Sequence, residues 1–197
     1  MVETVKKEFG QDVTAAAGVF NASGGFVRKE FLETSEEEWV GGWEGGVKAA
    51  VLFARGLLPL LAPTSSSSSS SAAEAPSSSD KDDGNAHPPT AHPPTLIFTG
   101  ATASVKSGAL FSLFAATKHA IRSLASSLAK EYGPKGVHVA HAVIDAVIDT
   151  PGTKAWNLPE GSKLKTEDIA DAYWWLHTQR STGFTWEVDL RPGVEKW

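Results

Sequence analysis

The sequence predicts an α/β fold, a parallel sheet covered by helices on both faces. Two observations point there. Short apolar runs at 13–20, 96–100 and 137–144 alternate with segments of helical periodicity, the order that builds crossover units. These runs are near-continuously apolar, as strands buried on both faces are. With 197 residues, 41% of them hydrophobic and 21% charged, the chain has material for one packed domain and for little more.

Each element has its own signal. Residues 3–9 read as the end of a helix stopped by Gly10. Residues 13–20 read as a buried strand that ends in a turn, Asn21-Ala-Ser-Gly-Gly. Thr34-Ser-Glu-Glu-Glu opens a second helix, since a hydroxyl cap and acids in the first turn suit the positive end of the dipole. That helix is expected to run to about Leu61, with Gly41, Gly42, Gly45 and Gly46 as its weak point. Residues 96–100 form a short buried strand running into a glycine turn. Residues 111–132 form a long helix, with Ile121, Leu124 and Leu128 on one face and Gly133-Pro134 as the stop. Residues 137–144 give a buried strand. Residues 167–177 give a helix with Ile169, Ala170, Tyr173 and Trp174 at helical spacing, and 185–190 an alternating closing strand.

One segment stands apart. Residues 64–95 hold ten serines, seven of them consecutive, five prolines and a tandem Ala-His-Pro-Pro-Thr. Such a stretch buries too little apolar surface to offset its ordering entropy, and a disordered surface insertion is expected. His87 and His92 within it are read as spacer, not as metal ligands. The segment also carries −3 of the formal −5 charge, so the remainder is nearly neutral.

Composition excludes several classes. There is no cysteine, hence no disulfide, thiolate metal site or cysteine nucleophile. No basic block interleaves with aromatics, so nucleic acid is not an expected partner. The run 47–63 is short and broken by Lys48 and Arg55, so no membrane span is expected. No signal-like stretch opens the sequence, and a cytoplasmic protein is expected.

At three points the residues become specific. Val19-Phe20-Asn21-Ala22-Ser23 resembles a strand-end "NNAG" signature. Phe98-Thr99-Gly100-Ala101-Thr102-Ala103-Ser104 followed by Phe114-Ala-Ala-Thr-Lys118 resembles a serine strand and a YxxxK helix. Gly136-Val137-His138-Val139 through Ile148-Asp149-Thr150-Pro151 resembles the next strand and a "PGxxxT" segment. In this order, outside 64–95, the chain resembles the short-chain dehydrogenase/reductase family. The resemblance implies a Rossmann-like doubly wound sheet. It also implies NAD or NADP as cofactor, hydride transfer between nicotinamide and an alcohol or carbonyl, and a homodimer or homotetramer. Asn21, Ala22, Ile148 and Thr150 would line the cofactor and Lys118 would hold its ribose. The substrate would lie near Ala101, Phe114 and residues 151–163.

The departures from the family pattern matter as much. The catalytic tyrosine position is Phe114, which has no proton to transfer. The serine position is Ala101, the asparagine position falls at about Gly46, and "PG" becomes Ile144-Asp145. Ser104 and Thr102 lie close to the lost serine, but neither is an acid by itself. Tyr132 and Tyr173 are too far along or on another helix. Lys118 has a second reading as a solvated surface charge, and Asp145 as a turn or capping residue. No TGxxxGxG phosphate turn occurs, so three strands of the family sheet are expected to be lacking. Residues 13–20 would then form an exposed sheet edge, in a truncated gene model or a decayed paralogue. Two functions follow as expectations: an oxidoreductase, inactive or impaired as written, or a pseudoenzyme that dimerises through helices 36–61 and 111–132.

Overall fold

A computed structural model describes residues 2–62 and 92–195. After a short helix α1 (Val2–Phe9) comes strand β1 (Ala17–Phe20). Helix α2 (Glu36–Trp43) passes through one π-helical turn (Glu44–Lys48) into α3 (Ala49–Leu61). Strand β2 (Thr95–Thr99), helix α4 (Ser112–Tyr132) and strand β3 (His138–Ile144) follow. The strands β4 (Val147–Ile148) and β5 (Lys163–Leu164), helix α5 (Thr166–His177) and strand β6 (Glu187–Leu190) complete the chain.

The main sheet has the order β1-β2-β3-β6 and every pairing is parallel. Strands β4 and β5 pair separately, also in parallel. Leu57 and Leu61 of α3 and Ile121 and Ala125 of α4 pack with Leu96, Phe98 and Val139 on one face of the sheet. On the other face Leu176 of α5 meets Ile97, Ala140 and Ala142. The fold is the expected Rossmann-like α/β sheet with helices on both sides. Strands β2 and β3 are buried along their full length, which explains their unbroken apolar runs.

Several expectations need correction. The first strand covers four residues, not eight, and only its last, Phe20, is buried, while Val19 is 43% exposed. Among the described residues it pairs with β2 alone, so its outer side has no sheet neighbour to cover it. Residues 63–91, most of the expected insertion, lie outside the described residues. Thr95, counted in that insertion, already belongs to β2, and His92 packs against the Trp174 and His177 rings. On α5 it is Ile169, Tyr173 and Leu176 that face the sheet, while Trp174 is 63% exposed. Among the described residues no helix is long and apolar enough to cross a membrane.

The helix start is as expected. Ser35 accepts the Glu38 backbone N–H, and the Glu38 carboxylate accepts the Ser35 N–H at 3.0 Å, a closed capping box. The four glycines are not simply a weak point. A Cβ on Gly42 would come within 2.9 Å of Leu113 on α4. Gly24, in the loop after β1, approaches so closely that its Cβ would lie 2.1 Å from the Gly42 carbonyl oxygen. Gly45 faces Gly24 and Gly46 faces Thr117 of α4. These glycines let a loop and a helix reach the α2–α3 backbone, and Gly41 alone of the four meets nothing within 4 Å.

This packing separates two alanine substitutions. Gly24→Ala is expected to lower the unfolding free energy by about 2 kcal/mol, as overpacking against backbone does. Gly41→Ala is expected to raise it by about 0.5–1 kcal/mol through helix propensity. Urea unfolding of both variants checks the pair; equal effects of one sign would contradict it.

Candidate functional site

Register brings the carboxyl ends of three strands together. Phe20 pairs with Phe98, and Thr99 with Ala142, so Asn21, Gly100 and Asp145 leave the sheet along one edge. Open parallel α/β sheets receive ligands at that edge. Helix α4 crosses it and presents Phe114, Lys118 and Arg122 at intervals of four residues, hence on one face.

Phe114 and Ala101 share the wall of a cleft of about 590 Å³ with Phe26, Ile144, Asp145 and Val147. Phe26 stacks edge-on against Phe114 at 5.2 Å and lies 5.6 Å from the Phe111 ring. The wall is mostly apolar. Its polar part comprises Thr102, Lys106, Ser107, Glu195 and Asp145, and Asp145 contacts the Thr102 hydroxyl and pairs with Arg191 at 3.1 Å. Asp145 is thus an ion-pair partner at a strand end, more than a plain turn residue. Residues 151–163, expected beside the substrate, do not line this cleft; β4 and the turn before it take their place. A groove of about 420 Å³ between Lys130, Val137 and Phe184 lies at the opposite end of the sheet.

Lys118 is not a solvated surface charge. It is 6% exposed, and its Nζ donates to the Thr99 carbonyl at 3.2 Å, 5.9 Å from the Phe114 ring centroid. An ammonium has three donors, and among the described residues no carboxylate pairs with this one. Burial lowers its pKa from the ordinary lysine value. An under-partnered buried amine at a strand end fits a ligand that brings hydroxyl groups, such as a cofactor ribose. Asn21 and Ala22 are exposed just past β1. Ile148 and Thr150 lie beyond Val147, outside the cleft wall, where the Thr153 hydroxyl donates to the Ile148 carbonyl at 2.5 Å and accepts the Thr150 N–H at 3.0 Å. The structure therefore joins Ala101, Phe114 and Lys118, and leaves Asn21, Ala22 and Thr150 on flanking loops and Ile148 in β4.

Tyr173 lies on the far face of the sheet, as its helix requires. Its hydroxyl bonds the Thr99 side chain at 2.7 Å, and burial raises its pKa. It lines no part of the cleft.

One group escaped the reading of the sequence. His141 of β3 is fully buried, with Nδ1 2.9 Å from Glu187 Oε2. Arg122 donates to the same carboxylate through Nε at 2.6 Å and a terminal nitrogen at 2.8 Å, the fork geometry that suits guanidinium. Arg122 hydrogen bonding holds the Glu187 carboxyl below the usual glutamate range. Burial pushes the His141 imidazole down, against the pull of Glu187. The available signals were a histidine inside an apolar strand run and an arginine one helical turn past Lys118. Among the described residues no cluster of three or more histidine, aspartate or glutamate side chains could hold a metal ion.

Comparison with known proteins agrees with this fold. The family profile described as short chain dehydrogenase matches residues 90–161. An uncharacterized oxidoreductase of Staphylococcus epidermidis is 38% identical over 80 residues, 41% of this chain. The match spans about a third (34%) of the length of that relative. A short-chain dehydrogenase from Rhodopseudomonas palustris superposes with a TM-score of 0.61 at 27% identity, over 89% of this chain and 61% of that one. An alcohol dehydrogenase from the archaeon Thermococcus sibiricus, complexed with 5-hydroxy-NADP, gives 0.66 at 20% identity over 99% and 69% of the two chains, a likeness of fold.

The Arg122–Glu187–His141 contacts set a pH dependence. The folded Glu187 carboxyl titrates below the ordinary glutamate value of 4.5. Its contribution is complete above that value and is lost as pH falls through the folded one. Glu187→Gln is expected to be less stable at neutral pH and to lose less on acidification. Urea midpoints measured from neutral pH to about pH 3 check this; parallel declines would contradict it.

Proposed function

Because the chain belongs to the short-chain dehydrogenase/reductase family, we propose that its carboxyl edge is a nicotinamide-linked redox site for a small, apolar alcohol or carbonyl compound. The family's tyrosine route for the proton is lost at Phe114. The observation that carries the reading is Lys118, buried at the Thr99 carbonyl with donors to spare behind an apolar cleft. Bound NAD or NADP would supply the hydride carrier. Lys118 would donate to the ribose hydroxyls, with Asn21, Ala22, Ile148 and Thr150 flanking the cofactor. Phe26, Phe111 and Phe114 would exclude water from the substrate and orient its apolar part. Ala101 and Phe114 offer no hydrogen bond to a substrate oxygen, so an alkoxide there lacks the stabilisation that preorganised donors supply. Turnover through this arrangement is impaired.

A titration with NADH and NADPH, followed by tryptophan fluorescence, tests the site. Saturable quenching is expected, and Lys118→Met is expected to weaken it about tenfold or more, as loss of charged hydrogen bonds does. Phe114→Tyr combined with Ala101→Ser is expected to raise turnover of an apolar ketone by about 100-fold, the scale of general acid catalysis. Absence of quenching would overturn the reading.

A second reading has its own observation. Val40, Trp43 and Leu52, on α2 and α3, are 52%, 48% and 59% exposed, beside a groove between Trp39, Trp43 and Lys48. Such a face suits a second copy of the chain. If it is an interface, Trp43→Glu is expected to halve the mass measured by light scattering; a wild-type monomer would exclude it.

A further inference from the structure

The cleft wall that holds Ala101 and Phe114 also carries three charged side chains, Lys106, Asp145 and Glu195. The two acids already face a cation. Arg191 pairs with Asp145 at 3.1 Å and with Asp189 at 2.5 Å, and the Glu195 charge acts on the same guanidinium. Lys106 has no such answer: among the described residues no carboxylate lies within ion-pair distance of it. Its place in the wall is fixed all the same. A short 3₁₀ turn, Thr102–Ser104, follows Ala101 directly, and the Lys106 N–H donates to the Thr102 carbonyl at 2.9 Å. The backbone is thus anchored while the ammonium is left without a counter-ion.

A second cation stands at the same wall. Arg28 lies over the Phe111 ring, 5.9 Å from its centroid, and it too has no carboxylate within ion-pair distance among the described residues. The Lys29 N–H donates to the Leu110 carbonyl at 3.0 Å, which ties the loop bearing Phe26 and Arg28 to the start of α4. Most of the remaining wall is Phe26, Phe111, Phe114, Ile144 and Val147. Apolar walls displace water, and a charge beside them attracts its counter-ion more strongly than in bulk solvent.

We propose that Lys106, with Arg28 over Phe111, selects the substrate of the cleft: an oxo acid, or the matching hydroxy acid, with an apolar chain. The chain lies against the phenylalanines and the carboxylate meets Lys106. The inference rests on the redox reading above and names its substrate class. The reacting carbon sits by Ala101 and Phe114, and the carboxylate at the other end of the molecule. A cleft of about 590 Å³ is of the size that encloses a small organic ligand. Lys106 meets the far end of the substrate and not the reacting atoms, so it is a specificity residue.

The test uses three probes that differ at one end only. They are a medium-chain methyl ketone, the oxo acid with a carboxylate in place of its terminal methyl group, and the methyl ester of that acid. Their affinities for the full chain are read by calorimetry with saturating NADP, which has no hydride to give a carbonyl. The oxo acid is expected to bind about five- to tenfold more tightly than the ester, between an exposed ion pair and a buried charged hydrogen bond. Added salt is expected to shrink that preference. It is expected to vanish in Lys106→Met and to persist in Lys106→Arg. Arg28→Met is expected to lower it about twofold, as loss of a longer-range charge does. An oxo acid that binds no better than its ester overturns the proposal, as does a preference that survives Lys106→Met. A chain that binds neither NADP nor NADPH overturns the redox reading, and the proposal falls with it. Cofactor binding without the preference overturns the proposal alone.

Discussion

Helix α4 lies across β2 and β3, and the chemistry of the molecule hangs from the face it turns inward. Lys118 and Arg122 are one turn apart on that face, and both meet the sheet. Lys118 is buried and the Arg122 side chain is 37% exposed, and taking charge out of water is costly unless partners answer it. Glu187 answers Arg122 with two hydrogen bonds and His141 with a third. Lys118 is answered by a carbonyl oxygen and the face of Phe114. The two cations thus differ: Arg122 is satisfied within the protein, and Lys118 keeps donors for something else.

The loops around the site are held by close backbone approach. Gly24 touches Gly42, Gly45 sits over Gly24, and Gly46 over Thr117. The π turn at Glu44–Lys48 falls where these contacts converge. Such turns mark places where a helix yields to a neighbour. The position expected to carry an asparagine is occupied here by Gly46, and it serves packing against α4. The glycines that lower helix propensity therefore tie the loop after β1 to α2 and to α4, and so to the cleft.

Much of this was legible in the residues, for physical reasons. Parallel strands buried on both faces need unbroken apolar runs, and β2 and β3 show them. The Ser35 cap was visible because its chemistry is local. What stayed hidden depends on tertiary partners. The burial of Lys118 follows from where α4 crosses β2, which a four-residue spacing does not reveal. His141 and Glu187 are far apart in sequence, and neither is notable until β3 and β6 pair and set His141 against Glu187. Residues 151–163, expected beside the substrate, do not line the cleft, because resemblance carries residues over by motif while walls depend on loop paths.

The central claim is that Lys118 is reserved for a nicotinamide cofactor at the carboxyl edge. A crystal structure of the chain with NADP tests it most directly. The account expects the ribose hydroxyls within hydrogen-bond distance of Lys118 Nζ and the nicotinamide ring facing the cleft between Phe114 and Ala101. A cofactor bound away from α4, with Lys118 still bonded to Thr99 alone, would contradict it.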